Sequence, residues 1–236
     1  MDAPADLAYA LSLADDADVL SMARYRALDL VVETKADFTP VTEADRTIEQ
    51  ALRERIARER GEAVGGEEYG VEEGAVRWWL DPIDGTKQYA RGLPIWATLI
   101  ALERDGEATV AVASAPALGR RWWAVRGEGS FADGTELRVS DVSRVEDAYV
   151  STTSMRGFEP FSDLFARAAV ARTYPDFWQH MLVAEGRIEV ALDSGLNPWD
   201  ALVPQLVVEE AGGRFAEGGG YSVSTNGHVT VELPPA

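Results

Sequence analysis

A mixed α/β fold, built as one unit of two lobes, is what this sequence of 236 residues predicts. Three observations carry that expectation. Apolar residues recur at helical spacing over residues 5–28 and again after Thr42. Strand-like runs follow one another from Arg77 to Val125, and beyond Val139 strand and helix signals alternate. The length supports one large domain with a sizeable core. We read residues 1–236 as that domain, with an N-terminal lobe of about 1–138 and a C-terminal lobe of about 139–236.

The first helix rests on Leu7, Leu11 and Ala14 with Leu13, Ala17 and Leu20, all at three- or four-residue steps. The second begins near Thr42, where Thr42-x-x-Asp45 resembles a capping box and Ile48, Leu52 and Ile56 form one stripe. Residues 61–76 are rich in Gly and Glu and read as a loop or short hairpin. Strands are expected over 78–80, 95–102, 108–115 and 121–125. Further on come a strand at 148–152, a helix at 161–171, a helix at 177–185 and a strand at 188–192. The last helix runs from about Asp200 to Ala211 and stops at Gly212-Gly213.

Composition narrows the function. The net charge is −18, which disfavours binding to a nucleic-acid backbone, since that affinity comes from Lys and Arg. An anionic ligand would need bound cations. Near the W-W-L-D-P-I-D stretch at 78–84 the longest uncharged, mostly apolar run is Leu93 to Leu102, far short of a membrane span. Acidic Asp2 and Asp6, without a basic start, give no secretory signal. The chain has no Cys, consistent with a cytoplasmic protein, and only two His, which disfavours His-rich zinc sites.

The stretch W-W-L-D-P-I-D-G-T at 78–86 carries an apolar strand into two aspartates three apart. Asp-Pro and Asp-Gly are turn formers, but a turn alone does not explain the strand that delivers them. Pro82 fixes one φ and Gly85 permits a sharp bend, so Asp81 and Asp84 can face one point, with the Ile83 carbonyl between them. Gly85 and Thr86 then offer N–H groups and a hydroxyl to a phosphate oxygen or a water. Glu67, Asp45 and Asp200 also stand at element ends; each has a plainer reading, as a solvated glutamate, a helix cap and an N-cap. Converging carboxylates would repel one another, whereas divalent ions reverse that sign and attract phosphate. Nucleotide-binding glycine loops and a G-x-S-x-G elbow are absent.

Three segments, G-E-E at 66–68, D-P-I-D-G-T at 81–86 and W-D-A-L-V-P-Q-L-V-V-E-E-A-G-G at 199–213, resemble the inositol monophosphatase-like, Mg²⁺-dependent phosphatases. The resemblance implies a layered αβαβα sandwich, a homodimer, and two or three Mg²⁺ ions for which Mn²⁺ can substitute. It implies that Glu67, Asp81, Asp84, Asp200 and the Ile83 carbonyl hold metal. Asp45 and Thr86 would activate the attacking water, with Glu67 also counted as catalytic. Gly85, Thr86 and Asp200 would meet the substrate.

Within that family the residues D-G-T-K-Q-Y-A-R-G at 84–92 and D-F-W-Q-H-M-L-V-A-E-G at 176–186 resemble the histidinol-phosphate phosphatase branch, an activity of histidine biosynthesis. Asp176 falls where inositol phosphatases carry a small residue, and Asp193 where the family places a substrate-contacting acid. Two carboxylates suit a substrate bearing an ammonium and an imidazole, at about 1.5–3 kcal/mol per charged hydrogen bond. Asp176 as an N-cap before Phe177 is the plainer alternative. Pro175 departs from the Gly common in relatives, and the loops are short for the branch. Asn197-Pro198 reads as loop shaping and Trp199 as core. Other small phosphomonoesters such as inositol 1-phosphate are the alternative substrates, and a non-catalytic metal- or phosphate-binding protein is the alternative of another class.

Overall fold

Small and apolar residues at helical spacing bury Ala10, Leu13, Ala14 and Ala17 along one face of α1 (Ala3–Arg24). The computed structural model describes residues 3–35, 39–154 and 156–235, so Asp2 lies outside the described residues. Helix α1 ends four residues short of the predicted 28, because Arg26 takes a left-handed φ of 62° that no α-helix continues. Asp6 is buried between Arg60 and Arg104, at 3.0 and 2.8 Å. A two-stranded ribbon, β1 (Val32–Thr34) and β2 (Pro40–Thr42), leads into α2 (Glu43–Glu59). The capping box forms as expected, and Ile48, Leu52 and Ile56 are fully buried.

The predicted strands assemble into one large sheet with additional members. Its strands are β3 (Ala63–Gly66), β4 (Gly70–Val71), β5 (Val76–Asp84), β6 (Ala97–Arg104), β7 (Glu107–Ala115), β8 (Arg120–Val125), β9 (Gly129–Ala132) and β10 (Thr135–Glu136). Their order is β10-β9-β8-β7-β6-β5-β3-β4. The hairpin expected in residues 61–76 is β3 with β4, and β3 also runs parallel to β5. A short helix, α3 (Thr86–Ala90), follows β5 directly.

A second sheet holds β11 (Tyr149–Thr152), β12 (Val170–Arg172), β13 (Val190–Ser194), β14 (Arg214–Gly218) and β15 (Tyr221–Thr225), in the order β12-β11-β13-β15-β14. The remaining helices are α4 (Ser162–Arg167), α5 (Asp176–Ala184) and α6 (Pro198–Glu210). The helix predicted over 161–171 is thus corrected. Ala168 is already extended, and from Val170 the chain pairs with β11, whose open edge offers hydrogen bonds that a helix end does not. At the other end, Gly212 takes a φ of 91° and stops α6 as expected.

Side-chain alternation along β5 builds the layers. Trp78 and Leu80 face α1 and α2, while Trp79 faces α5 and α6 on the opposite side of the sheet. Helices α5 and α6 also contact the second sheet, and α4 covers that sheet's far side with Leu164 and Phe165. The result is five layers, αβαβα, as the resemblance implied. No helix among the described residues is long and apolar enough to cross a membrane.

Candidate active site

Two aspartates three apart on a straight strand would point to opposite faces of the sheet. Here the pairing of β5 with β6 slips: Asp81 sits opposite Leu99 and Asp84 opposite Ala97, so three steps on β5 match two on β6. The extra residue is a bulge, and it returns both carboxylates to one side. Thr98 Oγ1 donates to the freed Pro82 carbonyl at 2.8 Å, so the bulge leaves no orphan there. Asp200 arrives from the first turn of α6. One ligand oxygen from each of Asp81, Asp84 and Asp200 lies within 4.8 Å of the others.

Each of these carboxylates is held by a backbone N–H on one oxygen. Ile83 N donates to Asp81 Oδ1 at 3.0 Å, Phe177 N to Asp84 Oδ2 at 2.7 Å, and Asn197 N to Asp200 Oδ2 at 3.1 Å. The N-cap reading of Asp200 is corrected accordingly: Asn197 caps α6, Pro198 opens it, and Asp200 is the third residue of the reciprocal box. Trp199 packs on the core, its ring 6.3 Å from that of Trp79.

The same cleft, about 290 Å³, is lined by Glu67, Ile83, Gly85, Thr86, Asp176 and Asp193 as well. Glu67 shares the cleft but falls outside the three-aspartate group, and its Oε1 accepts from Lys35 Nζ at 2.7 Å. Asp45 is fully buried behind Thr86. Its Oδ2 accepts from Thr42 N and Oγ1 at 2.8 and 2.6 Å, and its Oδ1 lies 3.3 Å from Thr86 Oγ1. The Thr86 hydroxyl is also 3.0 Å from the Ile83 carbonyl. Cap and site partner are therefore one residue, using two different oxygens.

Asp176 is not an N-cap. Pro175 holds that position with no side-chain cap, and Asp176 takes a left-handed φ of 49°. Its Oδ2 is buried with no hydrogen-bond partner among the described residues, close to Gly85, where a Cβ would lie 3.3 Å away. Asp193 Oδ1 accepts from Thr153 Oγ1 and Ser194 N at 3.0 and 2.9 Å.

Electrostatics follow from packing so many acids together. Burial, then the charges of Glu67 and Asp84, push the Asp81 carboxyl well above its usual range. Burial, then Asp176 and Asp200, do the same to Asp84. Asp200 rises to about 7, chiefly by burial and then by Glu67. Burial lifts Asp45 to about 6 against its bonds from Thr42, and lifts Asp176 to about 6, helped by Asp193 and opposed by Lys87. The hard oxygens of Asp81, Asp84 and Asp200, strained by mutual repulsion, fit a divalent cation, which would offset that repulsion.

The sequence profile of the inositol monophosphatase family matches residues 6–232. The chain belongs to that family. It is 45% identical to a histidinol-phosphatase of Mycobacterium tuberculosis, over 97% of this chain and 96% of that protein. It is 44% identical to a histidinol-phosphatase of Streptomyces coelicolor, over 97% of this chain and 95% of that protein. Among solved structures it resembles an IMPase of Thermotoga maritima with a TM-score of 0.87 at 29% identity, covering 94% of this chain and 92% of that one. Membership makes the chain a metal-dependent phosphatase of small phosphomonoesters.

Three residues in or beside the cleft escaped sequence reasoning. Lys35 bonds both Glu67 and Glu68, at 2.7 and 2.5 Å; burial opposes its charge, but the two carboxylates outweigh it and raise its pKa. Glu49, fully buried on α2, accepts from Glu68 N and Tyr69 N at 2.7 and 3.2 Å and so holds the G-E-E turn. His180 lines the cleft from α5. A Glu at helical spacing from Asp45 and a His four after Asp176 were visible signals, but their direction depends on contacts far away in sequence.

Proposed function

We propose that the protein is a histidinol-phosphatase, hydrolysing L-histidinol phosphate to L-histidinol and phosphate with Mg²⁺ in histidine biosynthesis. The observation that carries the substrate is the 45% and 44% identity to two histidinol-phosphatases over 97% of the chain. The unpartnered Asp176 Oδ2 beside the acidic cluster supports it, since a cationic substrate would satisfy it.

In this reading Asp81, Asp84, Asp200, Glu67 and the Ile83 carbonyl hold the metal. Bound Mg²⁺ supplies the charge that binds phosphate, acidifies a water and stabilises the departing alkoxide. Thr86 Oγ1 donates its proton to Asp45 Oδ1 and turns a lone pair to the attacking water, whose proton it takes as attack on phosphorus proceeds. Gly85 and Thr86 offer backbone N–H groups to phosphate oxygens. Asp176 and Asp193 orient the alcohol part through its N–H donors, and the bonds from Phe177, Ile83 and Asn197 fix the carboxylates before substrate arrives. No covalent bond to the protein is needed.

The test is phosphate release from L-histidinol phosphate, inositol 1-phosphate and fructose bisphosphate, with Mg²⁺, with Mn²⁺ and with chelator. A histidinol phosphate kcat/KM above the others supports the reading, and a preference for inositol 1-phosphate replaces it with the second one, which the structural likeness to an IMPase favours. We further infer a cytoplasmic homodimer and one cooperative folding unit whose lobes meet near residue 138. Light scattering and a single calorimetric transition check the last two.

A further inference from the structure

The helix that carries Thr86 is too short to hold itself. α3 spans five residues, Thr86–Ala90, whereas isolated helices below about 12–15 residues are marginal in water. It starts from Gly85 at a left-handed φ of 87° and has no side-chain cap. Its orientation must therefore come from what it packs against, and Tyr89 is its one buried residue. Tyr89 is fully buried and edge-on to Trp96, with ring centroids 4.9 Å apart. Its hydroxyl donates to the Ser21 carbonyl, in the last turn of α1, at 2.7 Å. Thr86 and Tyr89 stand three apart on one helical turn, so they share a side of α3 and move together.

Asp45 is tied to the same turn of α1 by a second route. Arg24 Nε donates to Glu43 Oε1 at 2.8 Å, and Glu43 opens α2 two residues before Asp45. The direct contact between the two site residues is weak. Thr86 Oγ1 stands 3.3 Å from Asp45 Oδ1, beyond the roughly 2.5–3.0 Å usual for an O–H···O bond. At 3.0 Å the Ile83 carbonyl is the nearer acceptor for the single hydroxyl proton. So long a bond does not draw α2 and α3 together, and their common support on α1 is what fixes the distance.

We propose that the last turn of α1 sets the separation of Asp45 and Thr86, with Tyr89 as the positioning residue that holds Thr86 within reach of Asp45 and Arg24 as the tie on the Asp45 side. This role rests on the reading above, in which Asp45 and Thr86 activate the water, and adds what keeps the two in register.

Tyr89→Phe keeps the ring and removes only the hydroxyl, and the Ser21 carbonyl retains its helical bond from Tyr25 N at 2.9 Å. On the preferred phosphomonoester of the panel above, kcat should fall by about tenfold, because small misplacements of a reacting group are costly. KM and the Mg²⁺ concentration giving half the maximal rate should stay within about twofold, since neither binding step uses the pair. A double-mutant cycle supplies the second readout. In a Thr86→Ala background, Tyr89→Phe should have no further effect on the residual kcat, because the group it positions is gone. An unchanged kcat in Tyr89→Phe, a loss confined to KM or to the Mg²⁺ response, or an equal loss in both backgrounds overturns the proposal. Where Tyr89→Phe does not fold, Arg24→Gln, at a side chain 33% exposed, runs the same cycle. A loss that vanishes with Thr86→Ala supports the proposal there, and an unchanged kcat or an additive loss overturns it. Wild-type kcat in Thr86→Ala alone instead removes the water-activating pair itself, and the proposal with it.

Discussion

Phe177 donates its backbone N–H to Asp84 Oδ2 at 2.7 Å, joining two residues 93 apart in sequence. The bond ties the start of α5, with Asp176 and His180 on it, to the bulged end of β5. The three-aspartate group and the α5 wall of the cleft are therefore joined directly by a backbone hydrogen bond.

Asp84→Asn keeps the shape and removes a charge that burial and its neighbours already oppose. We expect at least a hundredfold loss of kcat with Mg²⁺, about the cost of one preorganised charge-stabilising group. The metal-free protein should melt higher than the wild type, because a buried repulsion has been relieved. Phosphate-release assays and melts in chelator check both. Full activity in a well-folded Asp84→Asn would remove Asp84 from the metal site.

Stability of the metal-free protein should fall as pH rises. Asp200 and Asp45 titrate near 7 and 6 when folded, against about 3.9 for an unfolded Asp. Between those values the folded chain holds protons that the unfolded chain has released, so the free energy of unfolding decreases from about pH 4 to pH 7. In chelator the melting temperature should drop by at least about 4 °C between pH 5 and pH 8. Mg²⁺ binds the deprotonated set, so the rise it produces should be larger at pH 8 than at pH 5. A melt in chelator that ignores pH would contradict the raised carboxylates.

Asp176→Asn is a clean probe, since Asn tolerates the left-handed φ of 49° found there. It should lower kcat/KM for histidinol phosphate by roughly tenfold more than for a generic aryl phosphate. Equal losses on both would make Asp176 structural.

How much of this was legible depends on the range of the interactions. The capping box of Thr42 and Asp45, the stripe Ile48-Leu52-Ile56 and the Gly212 stop are local, and each appears where the pattern put it. The convergence of Asp81 and Asp84 was expected from Pro82 and Gly85, whereas the structure produces it by a bulge against β6, a fact about a neighbouring strand. Residues 161–171 look helical by composition, yet Val170–Arg172 is claimed by the edge of β11. Strands β14 and β15 alternate weakly and went unread because pairing, rather than pattern, defines them. Lys35, Glu49 and His180 were hidden for the same reason.

Gly66 offers a last test of how the site is braced from behind. A Cβ there would lie 2.3 Å from Glu49 Oε1, and Glu49 is held by Arg53 Nε at 2.8 Å while its carboxylate receives the N–H groups of Glu68 and Tyr69. Gly66→Ala must therefore push the Glu49 carboxylate off the turn that carries Glu67. We expect about 1–3 kcal/mol of destabilisation from overpacking, and a weaker Mg²⁺ response because Glu67 is displaced with the turn. Glu49→Gln has no added volume to accommodate. It should lose the charge that anchors Glu68 N and pairs with Arg53, and so reproduce the metal effect without overpacking. Denaturant melts and Mg²⁺ titrations of activity separate the two. If Gly66→Ala destabilises but both variants respond to Mg²⁺ like the wild type, Glu49 braces the fold and not the position of Glu67.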